Sequence, residues 1–210
     1  MSVAEGREAD RAAHWEGVYA AKADGELSWF QSSPARSLEL IGRLGALPVS
    51  AIDVGGGQSA LAGELLRLGV ERVAVLDISE SALRRGRERL GAAASRVSWI
   101  RRDVLDGAEL GSFELWHDRA CFHFLTEEGE RSKYAALAGR TVAPGGHAII
   151  AGFGAQGPER CSGLGVRRAS PQEIAGVFGP MFRLVESAVE SHTTPWGKGQ
   201  EFVYAVLRRL

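Results

Sequence analysis

Short apolar segments alternate with stretches of helical periodicity through the middle of the chain. Apolar runs that fit buried strands lie at 49–54, 72–76, 97–100, 113–117 and 147–153. Helical spacing, with Ser79 and Thr126 as expected capping residues for two of the helices, marks segments at 59–68, 80–90 and 126–142. Strands and helices that alternate at this length predict a parallel sheet covered by helices on both faces.

The pattern changes after the fifth predicted strand. A glycine-rich loop at 156–168 shows no period, and Ser170 with Glu173 forms a capping box that opens a short helix. Two strand-like runs at 182–191 and 201–207 are joined by a turn, which favours an antiparallel hairpin. We therefore predict a three-layer, Rossmann-like α/β fold in one domain over residues 1–210, with a seven-stranded, mostly parallel sheet and a C-terminal antiparallel hairpin.

The N-terminal part of the chain is rich in aromatic side chains. A helix is predicted at 10–21, with Trp15 and Tyr19 on one side, and another helix opens at Ser33, with Pro34 as its first residue. Trp29 and Phe30 fall between these helices, where a loop is normally polar. They either pin the segment to the core or cover a planar ligand.

Composition narrows the class of protein. Hydrophobic residues make up 45% of the chain and charged residues 24%, which is typical of a globular domain. The net charge of −1 and the absence of a basic block argue against a nucleic-acid partner. No apolar run is long enough for a membrane span, and the charged start lacks a signal sequence, so we expect a cytoplasmic protein. Two cysteines are expected to be free thiols.

A run of three glycines between the first strand and its helix is the strongest candidate for a ligand site. Such a turn lets a ligand approach the backbone and the free N–H groups of the helix start. Gly55, Gly57 and Ala60 satisfy a dinucleotide pattern, and Asp77 lies 22 residues after Gly55, where a ribose-binding acid is expected.

A second ligand class fits the same turn better. Asp53 precedes the glycines, where its carboxylate would repel a pyrophosphate but would suit a cationic amino group. Asp103 closes the third strand, where it can accept a hydrogen bond from an adenine amino group. The chain also leaves no room for a separate substrate domain. A nucleoside with a cationic amino-acid arm meets these conditions, and S-adenosylmethionine is such a ligand.

These motifs resemble those of the class I S-adenosylmethionine-dependent methyltransferases, and the resemblance covers essentially the whole chain. The segment from Asp53 to Ser59 is similar to the family turn D/E-x-G-x-G-x-G, with Ser59 in place of the last glycine. The resemblance implies the methyltransferase version of the fold and no metal. It also implies a set of cofactor-binding residues: Trp15, Tyr19, Trp29, Phe30, Asp53, Gly55, Gly57, Asp77, Ile78, Asp103, Val104 and Asp118.

Within that family the sequence is most similar to the thiopurine-methyltransferase-type group and to the relatives that methylate a lysine of citrate synthase. Residues 1–33 resemble the aromatic N-terminal cover of these proteins, and the segment from Asp118 to His123 resembles their segment after the fourth strand. The resemblance places Arg119 at the mouth of the substrate pocket. His123 is the candidate base by its position.

The resemblance implies the reaction more firmly than the methyl acceptor. We expect a small nucleophile, with a thiol, halide or chalcogen compound favoured and held by the positive charge of Arg119. A protein lysine, or a sensor that binds the cofactor without methyl transfer, is the alternative. A thiolate or halide would need no base, whereas an amine or hydroxyl would need one. The oligomeric state stays open.

Overall fold

The computed structural model describes residues 3–210. Within that range the main sheet contains seven strands in the order β3-β2-β1-β4-β5-β9-β8, and two very short strands, β6 and β7, form a separate hairpin. Strand β9 is antiparallel to both of its neighbours. The strands are β1 Ser50–Val54, β2 Arg72–Asp77, β3 Val97–Arg101, β4 Phe113–Arg119, β5 Val142–Phe153, β6 Arg160–Cys161, β7 Leu164–Gly165, β8 Phe182–Thr193 and β9 Gly199–Arg209. This confirms the predicted fold class.

In the described part of the chain, six α-helices accompany these strands: α1 Val3–Ala21, α2 Ala35–Gly42, α3 Leu61–Leu68, α4 Glu80–Leu90, α5 Glu128–Thr141 and α6 Pro171–Phe178. None of the helices within residues 3–210 combines the length and the apolar character needed to cross a membrane.

The core lies on both faces of the sheet because its central strands are covered twice. All five residues of β1 are buried, and neighbours along it point to opposite faces. Ile52 packs into the cluster beneath α5 and α6, whereas Ala51 packs into the cluster beneath α2, α3 and α4. A sheet covered on both faces therefore requires central strands that are apolar along their length and do not alternate with polar residues.

Several helix ends match their local signals. Ser79 caps α4 and accepts a hydrogen bond from the Ala82 amide at 3.1 Å. Ser170 and Glu173 form the predicted capping box of α6. Gly69 follows α3 with a φ of 99°, a left-handed conformation that glycine adopts without strain.

Other helix and strand ends differ from the prediction. Helix α5 is capped by Glu127 rather than by Thr126, because the backbone bonds of its first turn converge on the Glu127 carbonyl. Pro34 is the residue before α2 rather than its first residue. Strand β5 begins at Val142 rather than at the predicted residue 147, and its pairing with β4 skips from Val142 to His147, so the residues between them form a bulge in the strand.

Candidate active site

Four parallel strands, β1 to β4, end at the same edge of the sheet, and two cavities lie there. The large cavity has a volume of about 420 Å³ and the small cavity about 60 Å³. Ten predicted site residues line the large cavity: Trp15, Tyr19, Trp29, Gly55, Asp77, Ile78, Asp103, Val104, Arg119 and His123. Six line the small cavity: Tyr19, Trp29, Phe30, Asp53, Gly55 and Arg119. Gly57 and Asp118 line neither cavity.

The glycine turn fits tightly between two carboxyl groups. Gly55 and Gly57 have φ values of 65° and 40°, which side chains other than glycine rarely adopt. A Cβ on Gly57 would lie 2.9 Å from Asp77 Oδ2, and one on Gly56 would lie 2.5 Å from Asp53 Oδ2. The turn therefore needs glycine both for its backbone conformation and for the close approach of the two acids.

Asp53 is held by a buried chain of polar side chains. Its Oδ1 lies 2.7 Å from His117 Nδ1, and His117 Nε2 lies 2.8 Å from Ser37 Oγ. Oδ2 is buried at the small cavity and has no hydrogen-bond partner among the residues that the structure describes. A buried carboxylate oxygen without a donor is costly, so this atom is suited to a ligand that brings a cationic N–H group.

Sequence reasoning did not find His117 and Ser37. The register of β1 and β4 sets Asp53 directly beside His117, and α2 carries Ser37 over both. Strand pairing between residues 64 positions apart leaves no local signal in the sequence.

The carboxyl group of Asp77 is buried at the large cavity. Burial is the main reason why the pKa of this group rises to about 7, and the charge of Asp53 adds to the effect. The Ser79 amide donates to Asp77 Oδ1 at 2.9 Å and opposes the rise. Without a ligand this carboxyl therefore stands close to its titration midpoint at neutral pH.

Residues of helix α1 form one wall of the large cavity. Arg11 donates to Asp103 Oδ2 from Nε at 2.9 Å and from Nη2 at 2.7 Å, and to Glu130 Oε1 at 3.1 Å. The Leu105 amide donates to Asp103 Oδ1 at 2.8 Å. Glu16 accepts hydrogen bonds from Ser79 and Ser81 at the start of α4. Neither Arg11 nor Glu16 stood out in the sequence as a residue of the site.

The aromatic side chains of the N-terminal segment pack against one another over the cavities. Trp15 and Tyr19 make edge contacts with Trp29, with ring centroids 6.0 and 6.2 Å away, and Trp15 lies 4.8 Å from Phe124. Trp29 packs against the core and also lines both cavities. Phe30 lines the small cavity only. The segment is therefore pinned to the core, and its aromatic rings face the cavities, where the cover over a ligand stays a prediction.

Arg119 does not offer the free positive charge that we expected from the sequence. Its guanidinium donates to the Tyr204 hydroxyl and to the Trp29 carbonyl, both at 3.1 Å, and to Glu190 at 3.4 Å. The Phe202 ring stacks on it, with its centroid 4.1 Å away. Glu190 neutralises the charge, and the arginine holds the aromatic segment on the sheet.

His123 lacks the free lone pair that a general base requires. Its side chain is buried, and its Nδ1 accepts a hydrogen bond from the Phe153 amide at 3.3 Å, where β5 extends beyond β4. A neutral ring that accepts at Nδ1 carries its proton on Nε2. Burial, with a contribution from Arg119, lowers the pKa of His123 to about 3. The residue lines the large cavity, but as a neutral donor rather than as the base that its position suggested.

Asp118 supports the backbone instead of facing a cavity. It is fully buried and accepts hydrogen bonds from the Cys121 amide at 2.8 Å, the Phe122 amide at 2.9 Å and the Tyr134 hydroxyl. These bonds fix the turn after β4, which brings His123 to the large cavity. The structure thus does not bring Asp118 to the ligand site that the sequence resemblance implied for it.

The order of the strands, the glycine turn after β1 and the acids at the ends of β1 and β2 are those of the class I S-adenosylmethionine-dependent methyltransferase fold. Residues 51–146 match the family model described as a methyltransferase domain. Fold and family match together make this chain a methyltransferase whose cofactor is S-adenosylmethionine. Neither identifies the narrower group that the sequence resembled, nor the acceptor.

Solved structures share the fold along nearly the whole chain. The N-methyltransferase NodS from Bradyrhizobium japonicum, in complex with S-adenosylhomocysteine, is 15% identical, with a TM-score of 0.72 over 94% of this chain and 98% of NodS. A methyltransferase from Anabaena variabilis is 17% identical, with a TM-score of 0.74 over 95% of each chain.

A third structure carries both a substrate and the demethylated cofactor. It is the 1,6-didemethyltoxoflavin-N1-methyltransferase from Burkholderia thailandensis, which is 20% identical, with a TM-score of 0.69 over 98% of this chain and 88% of that enzyme. At these identities the likeness shows the fold and not the acceptor. No curated protein sequence matches the chain.

Proposed function

We propose that the protein methylates a small, soft nucleophile, with a thiolate as the leading candidate. The observation that carries this proposal is that the described residues at one side of the large cavity include no usable base. The β5 side of the large cavity is lined by His123, Phe124, Phe153, Cys161 and Phe202. In the strand order this side lies next to β4, β5 and β9. Asp77 and Asp103 lie at the other side, next to the ends of β2 and β3, with β1 between the two sides.

The cofactor would occupy the side of the cavities next to β1, β2 and β3. Asp53 Oδ2 would accept from its amino group, and Asp77 from the ribose hydroxyls. Ile78 and Val104 would contact the adenine, with Asp103 at its amino group, while Gly55 and Gly57 allow the close approach. Trp15, Tyr19, Trp29 and Phe30 would cover the ligand. The unpartnered Oδ2 of Asp53 supports this fit. When bound, the cofactor supplies an electrophilic methyl group on a sulfonium centre.

On the β5 side the titratable groups cannot take up a proton at neutral pH. The lone pair of His123 Nδ1 already accepts a hydrogen bond from the Phe153 amide, and Arg119 is ion-paired with Glu190. Burial raises the pKa of the Cys161 thiol, which therefore stays neutral. A nucleophile with a proton to lose during transfer would find no acceptor for it among these residues, whereas a thiolate has none to lose.

The remaining contribution of the protein is orientation and the exclusion of water. Aromatic rings on the β5 side offer an apolar surface for the body of the acceptor, and α1 with the aromatic segment covers the cavity. Holding two reactants in line can supply several kcal/mol of a barrier, so no further catalytic group is required. Arg119 acts in this proposal by holding the cover in place.

The proposal is tested by measuring both S-adenosylhomocysteine and the methylated product with a panel of acceptors. The panel contains aromatic and alkyl thiols, halides, selenite, tellurite, amines and lysine peptides. We expect thiols to be methylated, at rates that follow the ionisation of each thiol instead of a protein group. Methylation of amines or lysine peptides without methylation of thiols would refute the proposal. Cofactor binding without any product would identify a sensor.

A further inference from the structure

His123 carries a buried hydrogen-bonding atom that no described residue uses. Its Nε2 has no hydrogen-bond partner among the side chains and backbone that the structure describes, and the residue is only 2% exposed. The Phe153 amide holds Nδ1 on one side of the ring, so Nε2 points away from that backbone, and the residue lines the large cavity. The unused atom is an N–H donor, because the proton of this neutral ring is on Nε2.

The ring cannot turn to find a partner elsewhere. Phe124 and Phe153 pack against it, with ring centroids 4.4 and 4.6 Å away. A Cβ on Gly152 would lie 3.1 Å from the His123 Cβ, so the close approach of β5 also depends on that glycine. A buried donor that is fixed in this way is satisfied when a group that enters the cavity accepts a hydrogen bond from it.

The surroundings of Nε2 decide which chemistry fits. The aromatic walls favour a planar, largely apolar molecule. The nearby guanidinium of Arg119 is already paired with Glu190, so an anionic group placed at Nε2 itself, away from the thiolate that meets the cationic sulfonium, would bring a buried charge against a single neutral donor. A neutral oxygen or nitrogen with a lone pair, such as a carbonyl or a ring nitrogen, satisfies the N–H group without that cost.

We propose that His123 is a specificity-determining residue, whose Nε2–H group selects acceptors with a neutral lone-pair atom on an aromatic or similarly planar framework. This inference rests on the proposed function only in taking the β5 side of the large cavity as the acceptor site. It narrows the soft nucleophile to one attached to a ring that also bears a carbonyl oxygen or a ring nitrogen.

The test uses two probes of nearly equal shape that need no turnover. Acetophenone offers a carbonyl oxygen, and α-methylstyrene has a methylene group in its place. Calorimetry measures the affinity of each probe for the protein saturated with S-adenosylhomocysteine. His123→Asn keeps an oxygen near the position of Nδ1 and loses the Nε2–H group, whereas His123→Gln keeps an N–H group near Nε2.

We expect the preference for acetophenone over α-methylstyrene to fall about 2- to 12-fold in His123→Asn, which corresponds to one neutral hydrogen bond. His123→Gln should retain most of it. In the unmodified protein, acetophenone should shift the ¹⁵N and ¹H resonances of the Nε2–H group, and α-methylstyrene should not, which needs no variant to fold. The inference would be overturned if His123→Asn kept the same preference for acetophenone as the unmodified protein. It would also be overturned if acetophenone left the Nε2–H resonances unshifted, or if neither probe bound. The panel of acceptors tests the proposed function separately, so the two can fail independently.

Discussion

Cofactor binding should expel a proton from Asp77. Burial raises the pKa of this carboxyl from 3.8 to about 7, whereas ribose hydroxyl groups would stabilise the carboxylate and lower the pKa again. At pH 7 about half of the unliganded molecules hold this proton, so binding should release about half a proton per site. The release should approach one proton at pH 6 and fall to about a tenth at pH 8.

The affinity follows from the same linkage. A proton that must leave before the ligand binds weakens the affinity as the pH falls, so the apparent Kd should rise about tenfold between pH 8 and pH 6. The pKa of Asp118 is also raised to about 7, but this residue lies away from the cavities, so its proton should not depend on the ligand.

Calorimetry with S-adenosylhomocysteine in buffers of different ionisation enthalpy measures the protons released. Asp77→Asn should abolish the release and the pH dependence, and should cost about 1.5–3 kcal/mol of binding free energy, the scale of hydrogen bonds to a charged group. Glu71→Gln, which removes an exposed carboxyl at the start of β2, is the matched control and should change neither. A release that persists in Asp77→Asn, or tighter binding at low pH, would refute the reasoning.

Three further variants address the turn and the cover. Gly57→Ala places a Cβ 2.9 Å from Asp77 Oδ2 at a φ of 40°, so calorimetry should show at least about tenfold weaker binding of S-adenosylhomocysteine. Arg11→Ala removes the bonds to Asp103 and Glu130, so amide hydrogen exchange in residues 10–21 should accelerate. Arg119→Ala leaves Glu190 without its cation and frees the Trp29 carbonyl. Denaturant unfolding should show a loss of about 2–4 kcal/mol, and amide exchange in residues 27–31 should rise.

Each of these variants has an outcome that contradicts the account. Unchanged cofactor affinity in Gly57→Ala would mean that Asp77 is not the ribose acid. Exchange in α1 that is the same with and without Arg11 would mean that the helix is held by its aromatic contacts alone. Arg36→Ala, which breaks an exposed pair with Glu39, is the control for Arg119→Ala and should cost less than about 1 kcal/mol.

The fold could be predicted from the sequence because its signals are local. The apolar run that contains Asp53 is typical of a strand buried on both faces, and Ser79 and Ser170 cap their helices through atoms a few residues away. The mostly parallel sheet followed from the alternation of strands and helices, and the antiparallel hairpin followed from the turn between the last two strand-like runs. The predicted cap of α5 was wrong by one residue: Thr is a preferred capping residue and Glu is not, but the backbone bonds of the first turn converge on the Glu127 carbonyl.

The acids of the site could be located from their spacing, but their partners could not. His117 meets Asp53 through strand register, Arg11 meets Asp103 through the docking of α1, and Glu190 meets Arg119 from the C-terminal hairpin. Each pair joins residues more than 60 positions apart. The prediction of a free cation at Arg119 failed for this reason, because charge neutralisation is a property of the packed structure.

The most direct test of the account is a crystal structure with S-adenosylhomocysteine bound. The account predicts the ligand amino group within hydrogen-bond distance of Asp53 Oδ2 and both ribose hydroxyls at Asp77. It also predicts the sulfur atom facing the β5 side of the large cavity, next to His123. A ligand bound elsewhere, or one that leaves Asp53 Oδ2 without a donor and turns its sulfur away from that side, would contradict the account.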